Sequence, residues 1–394
     1  MAQRTSAPVA PAVGRHGLLR DLNYRAVLER LASAGPASRT DLVGALGLSA
    51  ASVGRVVDGL LRVDLVREGA RVTTGVGRPQ TLLHVNERAS LVAGASVRSR
   101  YMRLHLADLE GNVLGRVQVE RTREGAAALA LQLADLVTRE RAAHAPDVRL
   151  AAVVVGVPGV WDEAGQRVFG APHLADLEGV DFRRLLLEAL AGRVLGDTVM
   201  VDNDANLAAV GEQEHGAARG VADFFYLGLG SGVGGAAVVA GSLHRGPHGF
   251  AGEIGYLPVW SDGRIARLED VVGRGAIERI AQKAGLVVTG DVFDYLGSHA
   301  SHDDPIADHL VDVLGQALVA VVTTLDPSLI VLGGGLGRYG SLWAERIHQR
   351  LASFVPVVPR VVSTAIGRDA SLLGAVALGR TAARDVLLQY ELGV

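Results

Sequence analysis

The 394-residue sequence contains no cysteine, which excludes disulfides and thiolate metal sites and leaves only histidine or carboxylate ligation open. Lysine is nearly absent as well: Lys283 is the only one, so arginine carries the positive charge. No apolar run reaches the ~18 residues of a membrane span, and the opening MAQRTSAPVAPAVGRHG lacks the compact apolar core of a signal peptide. A cytoplasmic protein with no membrane partner is the expectation. With 49% hydrophobic and 21% charged residues, the chain is long enough for two or three globular domains.

The net charge of −3 conceals an asymmetry. Residues 1–90 hold 12 arginines against 7 acidic residues, whereas the remainder holds 27 basic against 35 acidic ones. A basic front on an acidic body points to an anionic partner for the front, and nucleic acid is the usual one.

Residues 1–17, rich in Ala, Pro, Gly and Arg and without periodicity, read as a disordered tail. Residues 18–88 read as a DNA-binding domain. Val27, Leu28 and Leu31 predict a helix over Asn23–Ala34, stopped by Gly35-Pro36. Ser38, with Asp41 three residues on, caps a second helix, RTDLVGALG; Gly47-Leu48 turns the chain and Ser49 caps a third, AASVGRVVDGLLR. Two helices joined by a short turn containing Gly make a helix-turn-helix, with the third helix in the major groove. Its first turn presents Ala51, Ser52 and Arg55 outward. LVREGARVTTGVGRPQTLLHV then reads as a wing from which Arg71 and Arg78 reach phosphates or the minor groove. The candidate DNA contacts are therefore Ser49, Ala51, Ser52, Arg55, Arg71 and Arg78. A small dimerisation bundle is the alternative, but capped helix, turn, capped helix and basic hairpin in that order favour double-stranded DNA. One recognition helix reads few base pairs, so two half-sites ~34 Å apart, and a homodimer or dimer of dimers, are expected.

From Ala89 strands alternate with helices, which implies two α/β lobes with a cleft between them: 89–198 plus 375–394, and 199–374. The apolar strand Val199–Val201 delivers Asn203 and Asp204 where a helix takes over, the place where open α/β sheets bind ligands. Glu253 and Glu269 can face them, completing a ring of short polar groups suited to pairs of sugar hydroxyls. Asp204 alone could be a helix cap and Glu253 alone a solvated loop charge; their conjunction favours ligand binding. The glycine pattern at Gly230–Gly235 runs into a strand, and that at Gly335–Gly340 has no acid about twenty residues on, so a dinucleotide oxidoreductase is set aside. His244 and His248 lack spaced partners for a metal.

The segments RTDLVGALGLSAASVGRVVDGL, VGRPQTLLHVN, ADLEGNVL, GVPG, VDNDAN, GLGSGVGGA, GFAGEIG, LED and DPSLIVLGGG, in this order, resemble the ROK family of repressors, open reading frames and sugar kinases from Asp21 to the final helix. The resemblance implies a two-lobed α/β actin/hexokinase-like ATPase fold with ribonuclease H-like lobes, preceded by an α+β winged helix-turn-helix domain. It makes Asn203, Asp204, Glu253 and Glu269 the sugar-hydroxyl ligands, Asp204 matching the general base of the family kinases. Two departures qualify it. Where those kinases carry an Asp-x-Gly-Gly-Thr phosphate loop, this chain has Ser96, Arg98, Ser99 and Arg100, with neither the acid nor the glycines. Asp204 is then a vestigial base and no catalytic residue remains, while Arg98 and Arg100 suit an anion such as a sugar phosphate. Tyr256 replaces the family's His after GEIG, and SDGRIAR replaces its cysteine-rich segment, so no zinc or other cofactor is expected and Tyr256 joins the ligand set. The resulting expectation is a sugar-responsive or sugar-phosphate-responsive repressor that is not an enzyme. The alternatives are an active sugar kinase with an appended DNA module and a DNA-binding regulator without a ligand.

Overall fold

The computed structural model describes residues 15–73, 79–230, 232–283, 285, 292–299, 304–339 and 341–394. Its first part is a head of three helices, α1 (Arg15–Ala34), α2 (Arg39–Leu46) and α3 (Ala50–Arg62), which bury Val27, Leu28, Leu31, Leu42, Val53, Val57 and Leu60 together. The Ser38 hydroxyl accepts from the Asp41 amide (3.1 Å) and the Asp41 carboxylate accepts from the Ser38 amide (2.9 Å), a reciprocal cap that holds the Asp41 carboxyl below its usual pKa. Gly47 ends α2 at φ 64°, a left-handed conformation cheap only for glycine. Strands β1 (Val66–Val72) and β2 (Gln80–Val85) pair antiparallel as the wing, and Ala37 exchanges two backbone bonds with Leu83, 3.2 and 2.9 Å, tying the wing to the α1–α2 turn. The wing tip, with Gly75, Gly77 and Arg78, lies outside the described residues, as do residues 1–14.

Arg15, His16 and Gly17, assigned to a disordered tail, are helical, and α1 begins at Arg15 rather than Asn23. Once packing fixes the later turns, each added residue gains an i→i−4 bond at little further entropic cost, so a helix can outrun its apolar stripe.

The body repeats one topology twice. The first sheet contains β3 (Leu91–Val97), β4 (Tyr101–Asp108), β5 (Val113–Glu120), β6 (Leu150–Val157) and β9 (Val199–Asn203), in the order β5-β4-β3-β6-β9. Helices α4 (Ala126–His144) and α5 (Phe182–Leu190) cover one face, and a small flap, β7 (Val160–Asp162) and β8 (Arg167–Phe169), follows β6. The second sheet contains β10 (Phe224–Leu229), β11 (Val233–Val239), β12 (Ser242–His244), β15 (Leu329–Gly334) and β16 (Arg360–Ser363), in the order β12-β11-β10-β15-β16. In both, two hairpins lay down three antiparallel strands and crossovers add two parallel ones. The second lobe also has a hairpin, β13 (Pro258–Ser261) and β14 (Arg264–Arg267), and helices α7 (Leu268–Val272), α8 (Arg274–Lys283), α9 (Val292–His299), α10 (Pro305–Leu325) and α11 (Ser341–Ala352).

The strand Val199–Asn203 does not found the second unit, contrary to the sequence reading. It pairs parallel with β6 as the edge of the first sheet, because a continuous apolar strand is stable only when both its faces are covered, and α5 supplies one cover. Periodicity shows that such a strand exists, not which sheet takes it.

Two helices lie between the sheets. In α6 (Asp204–His215), Ala205, Ala208 and Ala209 pack on the second sheet, while Leu207 meets Val154 of the first and Ala375 of α12 (Ala370–Leu392). A Cβ at Gly374 would stand 1.7 Å from the Leu207 carbonyl oxygen, and one at Gly211 2.2 Å from that of Ala370. Only glycine permits so close a crossing, and it sets the N-termini of both helices side by side at the interlobe cleft. Among the described residues one helical stretch, Ile306–Leu325 of α10, is long and apolar enough by composition to cross a membrane, and 61% of it is buried in the second lobe's core.

Candidate functional site

A cavity of about 860 Å³ opens between the lobes at the carboxyl ends of β3, β6, β9, β10 and β15. Its lining includes Asn203, Asp204, Glu253, Tyr256 and Glu269, all five candidate ligand residues. Asn203 is held on both sides: its carbonyl oxygen accepts from the Ala205 amide (2.6 Å), and its amide nitrogen donates to Gly159 O (3.1 Å) and Glu253 Oε1 (3.0 Å). Its amide thus caps α6 and fixes the rotamer of a carboxylate from the other lobe. Glu269 Oε2 accepts from the Val233 amide at 3.1 Å, which occupies a donor of the glycine loop with the protein's own carboxylate.

Glu253 is half-buried beside two further acids. Burial first, and then the charges of Asp204 and Glu269, push its carboxyl up to about 7. Tyr256 is 40% exposed, with Phe250 on one side (ring centroids 5.2 Å) and the Arg267 guanidinium 5.5 Å from its ring centre on the other. Burial and the neighbouring Glu253 raise its phenol pKa.

The opposite wall is the turn between β3 and β4. The Arg98 amide donates to Tyr101 O at 2.9 Å, closing a tight Arg98-Ser99-Arg100 hairpin, and the Arg98 side chain pairs with Asp204, Nη1 to Oδ2 2.5 Å. Arg98 and Arg100 both line the cavity. Arg267, beside Tyr256, lines it as well, so guanidinium groups stand on both walls.

Sequence reasoning missed several supports. Asp202 is buried and accepts from Arg245 Nε (3.0 Å) and Nη2 (2.7 Å), from Asn206 Nδ2 (2.8 Å) and from the Asn203 amide (2.8 Å), so it fixes the residue that orients Glu253. It stands within the VDNDAN segment, where a carboxylate ending an apolar strand was the available signal. Glu178 accepts from the amides of Gly170 (3.2 Å) and Ala171 (3.0 Å) and shapes the cavity's rim; nothing in its local sequence marks it.

Tyr256 leads into the β13–β14 hairpin, and no group of three His, Asp or Glu side chains converges as a metal cage among the described residues. The donors present do not fit zinc.

In the head, Ser49, Ala51 and Arg55 are exposed and Ser52 partly so, on the outward side of α3, while Val53, Val56, Val57 and Leu60 are buried. The two serines are partly committed to each other: the Ser52 amide donates to Ser49 Oγ (3.1 Å), and Ser49 Oγ donates to Ser52 Oγ (2.9 Å). Arg71 is exposed on β1; Arg78 lies outside the described residues.

The ROK family profile matches residues 94–382 of this chain. The chain belongs to the ROK family. It has the two-lobed hexokinase-like ROK fold, with a winged helix-turn-helix in front. ROK proteins similar to it are of both kinds. The xylose repressor of Caldicellulosiruptor bescii is 25% identical over 364 residues, covering 86% of this chain and 89% of that one. The crystal structure of a ROK transcriptional regulator, described as a homologue of the E. coli MLC protein, superposes with a TM-score of 0.80 over 95% of this chain and 100% of its own at 22% identity. A ROK glucokinase from Streptomyces griseus, crystallised with glucose and AMPPNP, gives a TM-score of 0.60 at 26% identity over 74% of this chain and 99% of its own.

Proposed function

We propose that this protein is a sugar-responsive DNA-binding repressor: the interlobe cleft takes the effector, the head takes a double-stranded operator, and phosphoryl transfer has been lost. The observation that carries the reading is the course of α12. Its first residues, Ala370 and Ser371, line the cleft, whereas Leu387 and Leu388 near its end belong to the same apolar core as Val27, Leu28 and Leu31 of the head. A 23-residue helix spans about 34 Å as one stiff element. Arg25 of α1 also meets Asp385 of α12 at 2.5 Å. A ligand that changes the closure of the lobes about the α6–α12 crossing would thereby move the head, and in a dimer it would alter the spacing of two recognition helices. Both the dimer and the cytoplasmic location are parts of the proposal.

Within the cleft, Asn203, Asp204, Glu253 and Glu269 accept and donate to paired hydroxyls, and Tyr256 sets which sugars fit. Ser49, Ala51, Ser52 and Arg55 face the major groove, with Arg71 and Arg78 on phosphates or the minor groove. Loss of kinase activity is supported by the Ser96–Arg100 turn, which has neither the acid nor the glycines of the family's phosphate loop. The test begins with operator selection from a random duplex pool, followed by gel shifts of the selected duplex with pentoses, hexoses and their phosphates. The proposal expects a compound that changes operator affinity at least about tenfold. Failure to bind any duplex, or sugar-dependent ATP turnover at about 1 s⁻¹ or faster, would overturn it.

A further inference from the structure

Next to the cleft, on the far side of Tyr256, lies a second hollow of about 540 Å³, and Tyr256 and Arg267 line both. The β13–β14 hairpin forms its outer edge. Pro258 pairs with Arg267 and Trp260 with Ile265, and strand alternation sets these four on one side while Val259 and Ala266 pack into the second lobe's core. Trp260 is 60% exposed and Ile265 68%, whereas Trp161 and Trp343 are 8% and 1% exposed. Next to this apolar strip lie planar polar groups. Arg267 makes two 3.1 Å bonds to Asp270, Arg279 donates to the Asp270 carbonyl at 3.3 Å, and Arg264 lines the hollow. The Asp270 carboxyl is held below its usual range by the bond from Arg267.

An apolar or aromatic strip flanked by guanidinium and carboxylate planes is the chemistry that receives a sugar ring, whose C–H face is apolar and whose adjacent hydroxyls bond in pairs. We propose that this hollow is a second sugar subsite and that the effector has at least two sugar units. The first unit lies on Asn203, Asp204, Glu253 and Glu269, the second among Tyr256, Arg264, Ile265, Arg267 and Asp270. The inference rests on the sugar reading of the cleft and adds the length of the ligand. Adjacency selects this occupant: the two hollows share Tyr256 and Arg267, so a ligand longer than one ring that passes Tyr256 meets the second. The first cavity alone is near the top of the ~300–1,000 Å³ range of small-ligand pockets.

The test is calorimetric titration of the full chain with three series: xylose, xylobiose and xylotriose; glucose, cellobiose and cellotriose; glucose, maltose and maltotriose. In at least one series the disaccharide should bind at least about tenfold tighter than its monosaccharide. It should also reduce acrylamide quenching of Trp260, the exposed tryptophan, more than the monosaccharide does. The Arg264→Ala/Ile265→Ala double variant changes two exposed side chains that do not line the first cavity. It should bring the disaccharide back to the monosaccharide's affinity and leave the latter within about twofold. Monosaccharide binding with no gain from length in any series overturns the second subsite and leaves the sugar reading standing. Absence of binding by every sugar overturns both. A double variant that loses a dimer on gel filtration while keeping the gain from length assigns the strip to a second copy of the chain and overturns the proposal.

Discussion

Arg98 Nη1 lies 2.5 Å from Asp204 Oδ2, so the carboxylate that matches the proton acceptor of the family kinases is held by a cation from the opposing turn. The loop that would set a phosphate opposite this carboxylate is replaced by Ser96, Arg98, Ser99 and Arg100, with neither the acid nor the glycines. A coupled assay on the purified protein should therefore show no sugar-dependent ATP consumption above background. Arg98→Gly alone should not restore it, because Ser99 and Arg100 still fill the remainder of the turn.

Asp204→Ala should separate the two functions. It removes a charged acceptor from the sugar ring, and hydrogen bonds to charged groups contribute about 1.5–3 kcal/mol, so effector affinity should fall roughly tenfold to a hundredfold. Operator affinity without effector should stay the same in gel shifts. Equal loss of both would mean that Asp204 serves the fold rather than the ligand.

The converse holds for Arg55→Ala. The side chain is exposed on α3, so its removal should leave the melting temperature within about 1 °C, weaken operator binding, and keep the effector-induced thermal shift. If Arg55 contacts a phosphate, the slope of log affinity against log salt should also fall by about 1. Unchanged gel-shift affinity would exclude this face of α3 from the DNA contact.

Glu253 gives a pH signature. Its folded pKa, about 7, lies above the ordinary 4.5, so the folded protein holds this proton more tightly than the unfolded chain does between those values. Its contribution to stability is greatest below pH 4.5 and is lost as pH rises towards 7. Glu253→Gln should flatten the melting temperature across that window and raise it above pH 7. A variant whose pH profile overlays the wild type would show that the three acids do not interact as their positions imply.

The crossing of α6 and α12 offers a mechanical test. A methyl group at Gly374 would meet the Leu207 carbonyl oxygen at 1.7 Å, so Gly374→Ala should cost about 1–3 kcal/mol through forced separation of the helices. It should also blunt the response of operator binding to effector. Gly192→Ala, at a glycine with open space around it and a φ of 71°, is the control for a general loss of stability, since it is strained without touching the crossing or the cleft.

Several features were fully legible in the chain. Ser38 with Asp41, Gly47 and Ser49 specify the helix joints of the head by local chemistry, because a cap or a left-handed turn needs only neighbours within a few residues. Asn203 and Asp204 announced themselves as polar groups ending an apolar strand, and Glu253 and Glu269 joined them through motif order. By contrast, Arg245 and Glu178 act through partners 43 and 8 residues away, which no local pattern encodes, and Asp202, though it ends an apolar strand, meets Arg245 across the same distance.

The sequence by itself determined where the helices of the head stand, which residues cap them, and which polar groups stand at strand ends, since these depend on backbone conformation and short-range hydrogen bonds. Tertiary structure alone decided that Val199–Asn203 completes the first sheet, that Arg98 reaches Asp204, and that Gly211 and Gly374 let two helices touch. Each of those outcomes depends on through-space distances between segments remote in the chain, and such distances are set by how whole faces pack together.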